Sequence, residues 1–188
     1  MTWNATSVLR LFAIGLVGGI LQLTTISQLA IFGVPADLSP LLVAAIGLLC
    51  GSIAGASFGF GLGLFMDTLL AQTLGLTSLV LLLVGYAAGR LRELRDPAHA
   101  LVPVAVGAAA TAAAAIGFAV LQFLLGVDAP VSFLLVRQIL MTIVLNTLLA
   151  MPVYLACRRF LAPYLPDDPR RRRRRAYTTG GLSPLSRA

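Results

Sequence analysis

The sequence predicts an all-α polytopic membrane protein with six transmembrane helices and both termini cytoplasmic. Three observations point there. Of the 188 residues, 59% are hydrophobic and only 11% charged, more apolar surface than a water-soluble domain of this size needs. Several segments exceed the roughly 18 apolar residues expected of a membrane-spanning helix. The basic residues, all of them arginine, cluster between particular apolar segments, and that placement fixes the parity of the crossings.

The elements follow in order. Residues 1–7 form a short polar lead with Trp3 as an interfacial anchor. Asn4-Ala5-Thr6 matches a glycosylation acceptor by chance, because it lies beside Arg10 on the expected cytoplasmic side. The first apolar run, Val8 to about Leu29, is long, has no convincing small-residue cleavage site and carries Gln22 and Gln28. It reads as a retained helix, not a signal peptide. Gly33, Pro35, Asp37 and Pro40 then interrupt helix.

Leu38 to Leu70 is an apolar stretch of 33 residues with one charge, Asp67. As a single helix it would run about 50 Å, against a hydrocarbon core of about 30 Å. A 40° tilt lengthens the crossing to only about 39 Å. One straight helix is too long. Parity gives the same answer independently: with Arg10 inside, a single crossing puts Arg90, Arg92 and Arg95 outside, whereas two crossings return them and the C-terminal arginines to the cytoplasm. A break is expected near Ser52 to Ser57, giving two short helices of about 15 residues each, either spanning or forming a re-entrant pair.

Downstream, Leu76 to Gly89 is a fourth apolar segment ending in a charged loop from Arg90 to Pro97. An alanine-rich segment, Leu101 to Leu125, turns at Gly126 to Pro130 into a last span, Val131 to Ala156, which Arg158 and Arg159 stop. Residues 1–160 thus make one six-helix domain. Residues 161–188 read as a disordered tail rich in proline and arginine. Beside a final membrane helix, its run Arg170, Arg171, Arg172, Arg173, Arg174 and Arg175 points to anionic lipid, with no nucleic acid partner expected.

Within the spans, Gly47, Gly51, Gly55, Gly59 and Gly63 recur every fourth residue, and the next step lands on Asp67. Small residues at this spacing let helix backbones approach closely, either within the chain or against a partner helix. Gly15 with Gly19, and Gly85 with Gly89, form weaker versions. Residues four apart drift by about 40° per step, so the whole series cannot face one partner from a single rod. Asp67 and Arg137 are opposite charges at comparable predicted depth and are expected to pair, the alternative being separate snorkelling to the outer interface. Asn146 and Gln122 are expected to form interhelical hydrogen bonds. Cys50 and Cys157 read as small packing residues. His99 is the sole histidine, and no nucleophile, base and orienter share the spans, so no catalytic residue, metal or cofactor is expected.

The order of features resembles a known family. A proline-containing loop, Pro35 to Pro40, precedes the glycine-rich pair, and Gly59-Phe60-Gly61-Leu62-Gly63-Leu64-Phe65-Met66-Asp67 leads into Leu74-Gly75-Leu76 and Val84-Gly85-Tyr86. The last helix carries Arg137, Asn146 and Pro152-Val153-Tyr154. Over residues 8–160 this resembles the bacterial rod shape-determining protein family MreD. The resemblance implies a non-catalytic scaffold in the bacterial plasma membrane, within the cell-elongation (peptidoglycan synthesis) machinery. It implies binding to MreC through transmembrane helix docking, and association with MreB, RodA and a class B penicillin-binding protein. It also implies a fold similar to the substrate-binding subunits of energy-coupling-factor transporters, which supplies the alternative of a vitamin-binding membrane subunit. Short outer loops without tryptophan speak against that alternative, and a third possibility, an ion or lipid transporter, has too few intramembrane charges to recommend it.

Overall fold

The computed structural model describes residues 5–22, 24, 37–71, 73–94, 101–126 and 133–162. The described residues form six helices and no strand: α1 (Ala5–Leu21), α2 (Leu38–Cys50), α3 (Ser52–Leu69), α4 (Leu76–Leu94), α5 (Val102–Leu124) and α6 (Phe133–Leu161). Three stretches are long and apolar enough to cross a bilayer: Ser52–Leu69, Val102–Leu124 and Val136–Leu161. The expected tail, with Arg170 to Arg175, lies outside the described residues.

The long glycine stretch is two helices, as its length requires. The break falls at Gly51, just before the expected region, and its φ of +101° is a conformation that side-chain-bearing residues rarely adopt. The Gly51 amide still donates to the Gly47 carbonyl (2.8 Å), closing α2, while the Gly51 carbonyl accepts from Gly55 N (2.9 Å) to open α3. Only one residue separates the helices.

Helix α2 is the centre of the bundle. Leu38 through Leu49 are all buried, and α2 contacts every other helix. A helix that is apolar on every side suits only such a position. At 13 residues it is about 20 Å long, too short to cross a core of about 30 Å. Its N-terminal end meets Asn146, halfway along α6, so α2 begins deep in the bundle instead of at a surface.

Two boundaries differ from expectation. Arg90 to Leu94 continue α4 instead of forming a loop. Arginine, leucine and glutamate are good helix formers, and Arg90 pairs with Glu93 one turn on (3.2 Å). Helix α6 likewise runs past Arg158 and Arg159 to Leu161. Arginines end an apolar span, but they do not end a helix.

Helices α2 and α6 run parallel, so the ends bearing Arg158 and Arg159 on α6 and Cys50 on α2 lie together. Arg10 on α1 joins them by donating to the Phe160 carbonyl (3.1 Å), and Arg92 on α4 donates to the Leu49 carbonyl. One end of the bundle therefore collects Arg10, Arg90, Arg92, Arg158 and Arg159.

Candidate functional site

The glycine series packs against its own chain. A Cβ added at Gly55 would lie 2.5 Å from the Gly85 carbonyl oxygen, one at Gly59 2.3 Å from the Leu81 carbonyl oxygen, and one at Gly63 2.4 Å from the Ser78 Cα. In return, a Cβ at Gly85 would lie 2.2 Å from the Gly55 oxygen, and one at Gly89 2.3 Å from the Ser52 Cα. Helices α3 and α4 are thus in backbone contact along their length, the closest pairing in the bundle. Gly47 joins the same face, 2.7 Å from the Gly85 oxygen by the same measure. Gly51 serves the break instead. Helix α4 occupies this face, which leaves no room for a separate partner helix there.

Asp67 and Arg137 do not meet. Asp67 is 1% exposed, and its Oδ2 accepts from the Gly75 amide (2.8 Å), closing the turn into α4. A carboxylate at that position also faces the positive end of the α4 dipole. Its Oδ1 is buried without a hydrogen-bond partner. Arg137 is exposed near the start of α6. Helix α6 packs on α5, α2 and α1, and the ends of α3 and α6 face one another only across a cavity that Met66, Leu70 and Gln138 line. Equal depth along the bundle is not lateral adjacency, and the expected ion pair fails for that reason.

The most polar interior assembly surrounds the N-terminal tip of α2. Asp37 caps the helix, its Oδ1 accepting from Ser39 N (3.0 Å). Gln22, just beyond α1, accepts from Leu38 N through Oε1 (2.7 Å). Asn146 is fully buried in α6 and donates Nδ2 both to the Asp37 carbonyl (2.6 Å) and to Thr111 Oγ1 on α5 (3.0 Å). Thr111 in turn donates to the Gly107 carbonyl (2.9 Å). A helix start placed in an interior leaves unpaired amides, and Gln22 and Asp37 supply the acceptors for Leu38 N and Ser39 N, while Asn146 ties the Asp37 carbonyl to α6.

Above this tip, away from the arginine-bearing end, lies a cavity of about 450 Å³. Thr111 and Gln122 line it from α5, Gln138 and Thr142 from α6, Thr77 from α4, and Asp37 from the tip of α2. The sequence signals the bonding of Asn146 but not the roles of Gln22, Asp37 and Thr111, and Gln122, expected to bond between helices, lines the cavity instead. The available signal was Asp37-Leu38-Ser39-Pro40, an N-cap pattern with proline in the first turn.

The opposite end carries a second polar lock. Glu93 Oε1 accepts from Ser52 Oγ (2.7 Å) and Ser52 N (3.2 Å), tying the end of α4 to the start of α3. These bonds, with Arg90 beside them, hold the Glu93 carboxyl below its ordinary value. Two apolar grooves flank α1. One, of about 270 Å³, lies against α3 and is lined by Val8, Phe12, Leu16, Ala54, Ser57 and Gly61 among others. The other, of about 320 Å³, lies against α2 and α6.

Among families of known proteins, the one described as rod shape-determining protein MreD matches residues 3–160. No curated protein and no solved structure matches the chain.

Proposed function

This chain belongs to the MreD family of rod shape-determining proteins, and on that premise we propose that it is a non-catalytic scaffold of the bacterial cell-elongation machinery. Its six helices lie in the plasma membrane with both termini cytoplasmic, and α2 covers only the part of its crossing nearest the arginine-bearing end. The gathering of Arg10, Arg90, Arg92, Arg158 and Arg159 at one end supports that orientation. It binds the transmembrane helix of MreC and links it to MreB, RodA and a class B penicillin-binding protein. Arg170 to Arg175 hold the tail to anionic lipid. The family match over residues 3–160 carries this reading.

The docking face is the groove between α1 and α3. The glycine face toward α4 is already filled, but a Cβ at Gly61 would have nothing within 4 Å. Ala54, Ser57 and Gly61 form a small-residue track on α3 beside α1, the kind of surface that admits another helix closely. Copurification from a rod-shaped cell tests the assignment. MreC and RodA recovered with the full chain support it, and a bundle that brings down neither sinks it.

The cavity above α2 favours a second reading, a vitamin-capturing membrane subunit similar to those of energy-coupling-factor transporters. Polar groups from α2, α4, α5 and α6 converge there, as a small polar ligand requires. Tight retention of a small vitamin together with an ATPase module selects this reading over the scaffold.

A further inference from the structure

The cavity above the tip of α2 holds one charge, and no cation of the chain is placed to balance it. Among the described residues that line it, Asp37 alone is ionisable. The groups that bond its carboxyl are all neutral. Ser39 directs its amide (3.0 Å) and its hydroxyl there, and Gln22 Nε2 lies 3.4 Å from Oδ1. The N-terminal end of α2 offsets about half of a unit charge. The remainder stands at the level of Asn146, halfway along α6, where an unbalanced charge is costly.

The sequence supplies no counter-charge nearby. Between Arg10 and Arg90 it has no basic residue, and between His99 and Arg158 it has only Arg137. Arg137 is exposed, and its neighbour Gln138 lines the cavity. Hydrogen bonding at this end is lopsided in the same sense. Asn146 donates to Asp37 and Thr111, two residues of the lining, yet its Oδ1 is buried without a donor. Asp67 Oδ1, next in the chain to the lining residue Met66, also lacks one. Acceptors outnumber donors, and negative charge outweighs positive. An ammonium group carries three donors and no acceptor. Val80, Leu81, Phe118 and Ile139 give the rest of the lining an apolar wall, which suits a hydrocarbon body.

We propose that this cavity binds a small organic amine, its ammonium paired with Asp37 and its apolar body against α5. The inference rests on the cavity invoked for the transporter-like reading, but it requires no ATPase module and holds equally for a scaffold.

Equilibrium dialysis of the full-length protein in detergent micelles against radiolabelled 2-phenylethylamine tests it, with empty micelles as blank. Saturable binding at one site per chain is expected. The uncharged analogue 2-phenylethanol should compete about tenfold worse or more, from the weight of a hydrogen bond to a charged group, and phenylacetate should not compete. D37N retains an oxygen for Ser39 N, so the helix cap survives. It is expected to weaken amine binding by about tenfold or more and to abolish the preference over the alcohol. A115F and A119F, which fill the cavity from α5, are expected to lose the amine. Absence of saturable amine binding overturns the proposal. So does an alcohol that competes as well as the amine, or undiminished binding in D37N or in whichever cavity-filling variant folds. Retention of a neutral or anionic vitamin in this cavity overturns the amine while leaving the transporter-like reading intact. Amine bound by a chain that recovers no ATPase module does the reverse.

Discussion

Gly59→Ala is expected to be the most informative single substitution in the bundle. The added Cβ would stand 2.3 Å from the Leu81 carbonyl oxygen and 2.7 Å from its carbon. That is 0.7 Å short of the 3.0 Å below which Cβ contacts are essentially not found. The obstacle is backbone, so no rotamer change relieves it, and α3 and α4 must part. Overpacking of this kind costs about 1–3 kcal/mol. Alanine's better helix propensity offsets up to about 1 kcal/mol, and Gly61→Ala isolates that gain, because a Cβ there meets nothing within 4 Å. The difference between the two variants is therefore the packing term alone. Equilibrium unfolding in mixed micelles, followed by circular dichroism, measures both. Gly59→Ala should fall about 1–3 kcal/mol below Gly61→Ala. Equal stabilities would refute the claim that α3 and α4 touch backbone to backbone at Leu81.

Four further predictions concern the polar groups. Asn146→Leu removes both donors at the tip of α2 and should destabilise the bundle by about 1 kcal/mol in the same assay, from about 0.6 kcal/mol per intramembrane bond. Asp67→Asn keeps an oxygen for the Gly75 amide and should fold normally, whereas Asp67→Leu should lose about 1–3 kcal/mol. Asp67→Arg combined with Arg137→Asp should show no rescue over the single variants, measured as folded yield. The Glu93 carboxyl is held low by its Ser52 bonds, so its contribution is present above the ordinary value of 4.5 and lost as pH falls through its lower folded value. An acid titration should show the stability difference between wild type and Glu93→Gln shrinking below pH 4.5.

Much of the architecture was legible in the sequence, for physical reasons. The length of the Leu38–Leu70 stretch and the parity of the arginines required a break, and Gly51 supplies it. The lateral arrangement was not legible. In a bilayer, lipid-facing and core-facing residues are equally apolar, so periodicity does not separate inside from outside. That is why α2 gave no sign of being central, and why Gly85 and Gly89 could not be singled out as the surface opposite Gly55. The same gap defeats a pairing of Asp67 with Arg137 from depth alone, because depth does not say which helices are neighbours. The cavity has no sequence signal of its own, because its polar lining comes from Gln22 and from α2, α4, α5 and α6, each contributing one or two residues that look unremarkable alone.

Docking of the MreC helix on the α1–α3 face, with the glycine series sealed inside, is open to direct measurement. A photo-crosslinking amino acid placed at Ser57, Gly61 or Phe12, and at Tyr86 on α4 as control, samples both sides in living cells. Adducts to MreC from Ser57, Gly61 and Phe12, with none from Tyr86, are the predicted result. MreC adducts from Tyr86 with none from the α1–α3 face would contradict it.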